Sequence, residues 1–390
     1  MTDIITPKWV LPIIVISQFC CTSLWFAGNA VMGELVINFH LQPSALGNLT
    51  SAVQFGFILG TLVFALLSVA DRFSPSKVFF FSALAGALFN MTVTYDGNTI
   101  TTLLILRFFT GFFLAGIYPV GMKIASDYFK DGLGKSLGFL VGALVLGTAF
   151  PHLLKGFGTA LPWKMVLFVT TGLASLGGIF MLVLVPNGPY RKQSQALDLS
   201  AVFSVFKSRP FRAAASGYFG HMWELYTFWA YVPLMLGTYF SKQSVDNVSI
   251  PLLSFSIIGV GGISCVIAGY VSSRVGVKKT ATIALLLSCF CCLLSPVFFE
   301  IGSAPIFILF LVFWGMAVIA DSPLFSTLVA QNAPSESKGT ALTIVNSIGF
   351  AITILSIQLI SMLSELINPQ YIYLVLAFGP VLGLLALIRK

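Results

Sequence analysis

The chain has 390 residues, of which 57% are hydrophobic and only 9% are charged. Soluble proteins have about 25% charged residues, and a mean hydropathy of +0.96 excludes a soluble surface for this chain. The composition predicts an all-α integral membrane protein. About twelve spans of roughly 20 residues, with their loops, use up the whole length. This excludes a soluble catalytic head, an ATPase cassette and a DNA-binding module.

Twelve apolar runs follow one another along the chain, and we number them as spans 1 to 12. They are predicted at Trp9–Phe39, Ser44–Ala70, Val78–Tyr95, Thr99–Met122, Leu137–Leu154, Trp163–Val185, Phe211–Phe240, Ile250–Ser272, Thr280–Phe299, Ala304–Leu328, Thr340–Ser364 and Tyr371–Leu387. Span 1 is interpreted as a permanent helix and not a signal peptide, because no basic segment precedes it.

Basic residues fall almost entirely on one side of the predicted membrane. Seventeen of the 21 Lys and Arg residues lie on one side, three lie on the other, and Arg107 lies inside span 4. The positive-inside rule makes the richer side cytoplasmic and places both termini there. Topology thus accounts for the net charge of +8, which implies no nucleic-acid partner. The compact loops favour a bacterial inner membrane.

The chain consists of two similar halves. Residues 1–185 and 211–390 each hold six spans, and a polar stretch at 186–210 forms the predicted cytoplasmic linker. The residues after span 2 recur after span 8 at an offset of 202, and Tyr118–Pro119 in span 4 matches Ser322–Pro323 in span 10 at an offset of 204. The duplication predicts two six-helix bundles, and the prolines predict a kink in spans 4 and 10.

These repeated residues resemble a signature of the major facilitator superfamily, Gly-x-x-x-Asp-Arg-x-Gly-x-Lys/Arg-Lys/Arg. The first copy keeps Asp71 and Arg72, whereas the second keeps Arg274 but has Ser273 in place of the acid. Arg107-Phe-Phe-Thr-Gly111 looks like the superfamily's intramembrane Arg-x-x-x-Gly motif. The resemblance implies two pseudo-symmetric bundles around a central cavity and transport by alternating access.

Resemblance to single subgroups is less specific. Segments of spans 1, 7 and 10 resemble bacterial members loosely described as nitrate- or cyanate-permease-like, a description that identifies no substrate. The Gly-Pro motif that drug/proton antiporters carry in their fifth helix is missing from the matching stretch, 138–143. Import by symport is therefore slightly favoured.

Two ionisable residues of span 7 are the first candidates for the transport chemistry. Glu224 lies about 20 Å into the span, near the membrane midplane. Burial there favours the neutral carboxyl group, so Glu224 could bind and release a proton in each cycle. The alternative is a protonated Glu224 that only bonds a neighbouring helix. His221 lies one turn earlier on the same face, and we expect it to act as a relay partner.

Arg107 and Asp321 are the other ionisable candidates inside the membrane. An arginine keeps its charge and needs a partner. For Arg107 this could be Glu224, an anionic solute or backbone carbonyl groups, and in the last case Arg107 would be a structural clamp. Asp321, just before Pro323, either lines the cavity or caps the break that the proline produces.

Polar and aromatic side chains complete the predicted solute site. Gln18, Thr22, Trp25 and Asn29 recur at helical spacing along span 1, and such a stripe should face a wet cavity. The predicted solute contacts are Arg107, Gln18, Trp25, Asn29, Tyr118, Trp223, Tyr226, Asp321 and Asn346. The predicted gating residues, which would latch one half against the other, are Asp71, Arg72 and Arg274.

These features predict a proton-coupled secondary transporter for a small anionic solute, which Arg107 and His221 could neutralise. A proton-driven efflux antiporter for drug-like amphiphiles is the alternative. A transport-dead sensor is disfavoured because no soluble domain is present, and an intramembrane enzyme because no Ser/His/Asp set appears at workable spacing. The six cysteines lack the spacing of a metal site. We therefore expect no cofactor or metal, and a monomer whose partners are solute, protons and lipid.

Overall fold

The computed structural model of the chain describes residues 7–129, 133–157, 162–191, 204–244, 247–334 and 338–388. The first six residues, residues 192–203 of the predicted linker, and Arg389 and Lys390 are among those outside these ranges. Within them the regular secondary structure is entirely helical, as the composition predicts.

Every predicted span contains at least one helix, and six spans contain more than one regular segment. In order of the spans, the helices are Val10–Thr22, Ala27–Ala30 and Met32–Asn38 (span 1), Ala45–Leu66 and Val69–Arg72 (span 2), Pro75–Thr92 (span 3), Ile100–Leu114 and Tyr118–Tyr128 (span 4), Leu133–Gly156 (span 5), Trp163–Leu184 (span 6), Arg209–Lys242 (span 7), Ile250–Gly259 and Gly261–Val275 (span 8), Val277–Glu300 (span 9), Ala304–Ala320 and Ser322–Asn332 (span 10), Lys338–Leu366 (span 11), and Pro369–Ile372, a 3-10 turn Tyr373–Ala377 and Phe378–Ile388 (span 12).

In the part of the chain that the structure describes, nine segments are long and apolar enough to cross a membrane. The other three correspond to spans 1, 3 and 7. Span 1 contributes only a short apolar helix, Val10–Thr22. Span 3 is made more polar by Lys77 and Asn90, and span 7 by His221 and Glu224. The exceptions are thus a broken helix and two helices that carry polar side chains.

The helices cluster into two compact units. One consists of Met1–Ala45 and Ala52–Leu197, and the other of Leu46–Ser51 and Asp198–Lys390. The boundary after Leu197 lies within the predicted linker. In the first unit span 6 packs against spans 1 and 3, and in the second unit span 7 packs against spans 11 and 12. The polar helices of spans 3 and 7 therefore each pack against helices of their own unit.

Spans 4 and 10 are interrupted at matching positions. In span 4 the break lies between Leu114 and Tyr118, just before Pro119, and in span 10 it lies at Asp321, two residues before Pro323. Because proline has no N–H and clashes with the preceding turn, a break at this point is expected. The predicted paired kinks are confirmed.

Span 1 is not the single helix that its apolar run suggested. Its first helix ends at Thr22, and the next begins at Ala27. The hydroxyl groups of Thr22 and Ser23 donate to the carbonyls of Gln18 and Cys20 at 2.8 and 2.7 Å. Hydroxyl bonding to the preceding turn competes with the helical hydrogen bonds and bends helices. This break has no proline to mark it in the sequence.

Spans 2 and 4 approach each other closely at glycine residues. A Cβ atom on Gly56 would lie 1.9 Å from the Phe108 carbonyl oxygen, and one on Gly111 would lie 1.9 Å from that of Val53. Small residues permit such backbone contact between membrane helices. Neither position can accept a larger residue unless the two helices separate.

We expect Gly111→Ala to lower the thermal unfolding midpoint of the purified protein. The added methyl group would overlap the Val53 carbonyl, and overpacking of this kind costs about 1–3 kcal/mol. Gly138→Ala is the matched control, because nothing lies within 4 Å of a Cβ there. Its midpoint should stay the same or rise slightly. Equal midpoints for the two variants would contradict the importance of this contact.

Candidate transport site

Glu224 lies in the second unit, where span 7 meets spans 9 and 10. Its side chain is fully buried. Oε1 accepts a 2.6 Å hydrogen bond from the indole nitrogen of Trp314, and Oε2 accepts one of 2.9 Å from the Ser288 hydroxyl. The Cys292 thiol is a third hydrogen-bonding neighbour. Since these groups are all neutral, hydrogen bonds hold the carboxyl group without a positively charged partner among the described residues.

His221 contacts an acid, but not the acid that the sequence suggested. Its Nδ1 atom lies 2.7 Å from Oδ1 of Asp321, and both side chains are almost completely buried. The rings of Tyr218 and Phe325 lie 6.0 and 6.3 Å from the imidazole ring, between centroids. In the described part of the chain, no hydrogen bond joins His221 to Glu224. The direct partner of His221 is therefore Asp321.

Asp321 occupies the break in span 10, and its side chain makes no capping hydrogen bond to the helix that follows. Of the two alternatives left open by the sequence, the capping role is therefore wrong. Instead, Asp321 connects span 10 to span 7 through His221. Its second oxygen, Oδ2, and the Nε2 atom of His221 have no hydrogen-bond partner among the described residues.

Arg107 lies in the first unit and is only 2% exposed. Its guanidinium group donates to the Trp25 carbonyl at 2.6 Å, and to the Leu24 carbonyl and Oδ1 of Asn90 at 3.3 Å. These carbonyls can accept because the first helix of span 1 has ended at Thr22. Backbone carbonyl groups are thus the partners that the structure shows. These hydrogen bonds connect the break in span 1 to span 4.

Asn90 connects Arg107 to span 6. Its Nδ2 atom donates to the hydroxyl oxygens of Thr170 and Thr171, both at 3.1 Å, and to the Leu167 carbonyl at 3.3 Å. Sequence reasoning missed this residue. The available signal was the Asn90 amide near the end of a long apolar run. Thr170 and Thr171, adjacent in span 6, could supply hydroxyl groups to bond it.

The predicted polar stripe of span 1 is buried, but it does not form one helical face. Gln18 lies against span 4, where a Cβ on Gly121 would be 2.3 Å from its Oε1 atom. Trp25 packs on Phe57, with ring centroids 4.8 Å apart. The first helix ends before Trp25 and Asn29, so the four residues are divided between two segments of span 1 and not carried by one continuous helix.

The aromatic candidates of span 7 are held by neighbouring spans. Trp223 donates its indole N–H to the Val375 carbonyl at 3.0 Å, which places it against span 12. Tyr226 is buried, with its ring centroid 5.3 Å from that of Trp229 and 5.1 Å from that of Phe350. The remaining predicted contacts, both half-buried, are Asn346 in span 11 and Tyr118 in span 4.

Asp71, the first predicted gating residue, is paired within its own unit. Its carboxylate lies 2.7 Å from the Lys123 ammonium group at the end of span 4. Arg72 and Arg274 are exposed. The sequence suggested a latch between the halves at Asp71, and the structure adds an ion pair of the same carboxylate inside the first unit.

The residues that follow span 6 bind to the same end of this unit. Arg191 donates to the Asp71 carbonyl at 2.9 Å, and the Ser76 hydroxyl donates to the Val185 carbonyl at 2.6 Å. The end of span 6 and the first part of the predicted linker, 186–191, are thus attached to the residues around Asp71. Sequence reasoning gave this segment no role beyond connecting the halves.

The sequence of this chain matches a profile described as Major Facilitator Superfamily over residues 14–357. The chain belongs to this superfamily. It is therefore a membrane transporter and not an enzyme, in agreement with its relatives.

Two curated superfamily transporters are similar in sequence. An ascochitine biosynthesis cluster transporter from Didymella fabae is 32% identical over 156 residues, or 38% of this chain and 29% of that protein. The uncharacterised transporter YfhI of Bacillus subtilis (strain 168) is 26% identical over 258 residues, or 64% of this chain and 59% of that protein. The aligned part of the chain spans less than two thirds of either relative.

Solved structures of superfamily transporters share the fold. A mutant of the nucleoside transporter NupG aligns with a TM-score of 0.74 at 15% identity, covering 97% of this chain and all of that one. A bacterial homologue of the human lysosomal transporter Spinster aligns with a TM-score of 0.68, also at 15% identity, covering 98% of this chain and 94% of that one. At this identity the likeness shows the fold alone.

Two hydrogen-bond donors of this superfamily member were not predicted from the sequence. Trp314 and Ser288, which hold Glu224, lie 90 and 64 residues away from it in the chain. Trp314 and Ser288 both lie in strongly apolar helices. Burial there would leave the indole N–H and the hydroxyl group without a partner, and this was the available signal that they bond to another buried polar group. In the described part of the chain, no group of three or more His, Cys, Asp or Glu side chains could hold a metal ion.

Proposed function

We propose that this transporter is a proton-coupled symporter that imports a small anionic solute by alternating access. Superfamily membership shows that the chain is a transporter. The coupling to protons, the class of solute and the direction of transport are our proposal. The observation that carries it is the surroundings of Glu224, a fully buried acid held by the neutral donors Trp314 and Ser288. On the predicted topology the protein lies in a bacterial inner membrane with both termini cytoplasmic.

Glu224 is suited to carry the coupling proton because its charge has no compensating cation among the described residues. Hydrogen bonds from neutral donors stabilise a carboxylate, but they do not cancel its charge in a medium of low dielectric constant. Proton binding removes that charge. Transport states that differ in access to water can therefore differ in proton affinity, which coupling requires.

The anionic solute is supported by Arg107, which is buried in the first unit with only neutral partners. Its two carbonyl acceptors and the Asn90 amide satisfy its hydrogen bonds, but its full positive charge remains. Among the described residues no ion pair includes Arg107. An anion would be attracted by that charge without direct contact. His221 supports this less than the sequence suggested, because it faces Asp321.

The remaining predicted site residues keep their proposed roles. Gln18, Trp25, Asn29 and Tyr118 would contact the solute from the first unit. From the second unit, Trp223, Tyr226, Asp321 and Asn346 would do so. For gating, we propose that breaking the Asp71–Lys123 ion pair accompanies a change of access, with Arg72 and Arg274 forming contacts in only one state.

Proton-driven efflux of an organic compound is the second candidate. The observation that favours it is the relative from Didymella fabae, whose name places it in a biosynthesis cluster. A transporter that accompanies a biosynthetic pathway would serve to export a product. In that case Glu224 would exchange a proton for the compound.

The proposal is tested with purified protein in proteoliposomes that contain a pH-sensitive dye. Small carboxylates, inorganic anions and cationic amphiphiles are added outside, one at a time, without a pH gradient. We expect at least one anion to acidify the lumen and no cation to do so. Alkalinisation by an amphiphile would favour the efflux candidate, and transport of any solute without a pH change would contradict proton coupling. Protein-free liposomes are the control.

A further inference from the structure

The pair of His221 and Asp321 is a second buried ionisable site close to Glu224. The two side chains lie 2.7 Å apart and are essentially unexposed, whereas Glu224 has separate partners. His221 precedes Glu224 by three residues, so the two side chains emerge on the same face of span 7. On the predicted topology span 7 begins in the cytoplasm, which places His221 one turn nearer that side.

The other ionisable groups around the pair can be named from each helix that packs on span 7. Tyr218 lies on span 7 itself, and the Cys265 thiol of span 8 donates to the Ile319 carbonyl beside the break in span 10. Span 9 carries Cys289, Cys291 and Cys292 on the side of Glu224. In the described residues the charged groups of span 11 are Lys338 and Glu365, both exposed at its ends, and span 12 has none.

We propose that His221 and Asp321 form the relay through which Glu224 exchanges its proton with the cytoplasmic side. This rests on the proposed role of Glu224. Three observations support it: the 2.7 Å distance between Nδ1 of His221 and Oδ1 of Asp321, the position of Asp321 in a helix break, and the Nε2 and Oδ2 atoms, which have no hydrogen-bond partner among the described residues. Non-helical backbone within a membrane protein is retained where it is buried or lines a polar path.

The relay moves one proton in and one proton out. Neutral His221 carries its proton on Nδ1, which faces the Asp321 carboxylate, so the lone pair of Nε2 can accept the proton from Glu224, directly or through one water. The imidazolium then passes its Nδ1 proton to Asp321, from which it leaves to the cytoplasm. The ring returns to its first tautomer by proton exchange with water, in which Nε2 loses a proton and Nδ1 gains one. Asp321 is a positioning residue in the first part of this sequence, because it fixes the tautomer.

The relay is tested by infrared spectroscopy of the purified protein in lipid after a rapid pH step. The carboxylic acid band that is absent from Glu224→Gln reports the proton on Glu224. We expect Asp321→Asn and His221→Gln to slow the response of this band by about a hundredfold, the scale of a positioned proton-transfer group. Asp321→Glu should restore most of the rate. The control is Asp96→Asn, because Asp96 is exposed and paired with Lys164 in the other unit.

A purely structural pair would leave the rate of the Glu224 band unchanged in every variant that retains its helical amide band. That result would overturn the relay. Should Asp321→Asn fail to fold, His221→Gln and Asp321→Glu decide the question in the same way. If the wild-type band does not respond to pH at all, the proposed function fails, and the relay with it.

Discussion

Glu224→Gln will abolish proton-driven accumulation of the solute while leaving its downhill exchange measurable. Glutamine has almost the same shape, and its amide oxygen can still accept from Trp314, but it cannot bind a proton. A pH difference of one unit, about 1.36 kcal/mol, drives about tenfold accumulation per coupled proton. The variant should show no accumulation under that gradient in proteoliposomes, and labelled solute should still exchange between the two sides.

The matched control is Glu300→Gln, in the same unit. Glu300 ends span 9, its side chain is 55% exposed, and it pairs with Lys242 at the end of span 7. Exposed ion pairs contribute little, so accumulation by this variant should equal that of the wild type. Accumulation at the wild-type level by Glu224→Gln would assign the coupling proton to another group.

Arg107→Ala will strongly destabilise the first unit. The change leaves the carbonyls of Leu24 and Trp25 and the Oδ1 atom of Asn90 without their donor in a buried environment. Each buried acceptor that loses its hydrogen bond costs about 1–3 kcal/mol. The free energy of unfolding should therefore fall by more than about 3 kcal/mol in total. We expect a large fall in the thermal unfolding midpoint, and a smaller one for Arg107→Lys, which keeps the charge but loses the fork of donors.

Arg72→Ala is the control for Arg107→Ala, because Arg72 is exposed and its removal should leave the midpoint nearly unchanged. A different result would reassign Arg107. If Arg107→Ala keeps the wild-type midpoint but loses the response to the anion in the proteoliposome assay, then Arg107 contacts the solute and is not a clamp.

The spans and the duplicated halves could be predicted from the sequence because their signals are local. A long apolar run needs no knowledge of its neighbours to identify a membrane helix. The breaks in spans 4 and 10 are local too, since Pro119 and Pro323 mark them. The burial of Glu224 and Arg107 follows from their positions near the middle of such runs.

The partners of these buried groups could not be predicted, because they are set by packing between distant segments. Asp321 is 100 residues from His221 in the chain, whereas Glu224 is only three away, and helical spacing alone favoured the nearer acid. The break in span 1 was missed for a related reason. It depends on hydroxyl groups and on the guanidinium of Arg107, which reaches it from span 4.

Spans 1, 4 and 10, which are interrupted within the membrane helices described above, should differ in bending stiffness. In span 1 the guanidinium of Arg107 cross-links the break to span 4. We therefore expect span 1 to resist bending at the break and to move as one body. Span 4 has a proline at its break and should bend more easily. In span 10 the resistance to bending should vary during the transport cycle. The reason is that the contact between Asp321 and His221 strengthens or weakens with the proton that the two side chains share. Proton binding would then alter the mechanics of the second unit as well as its charge.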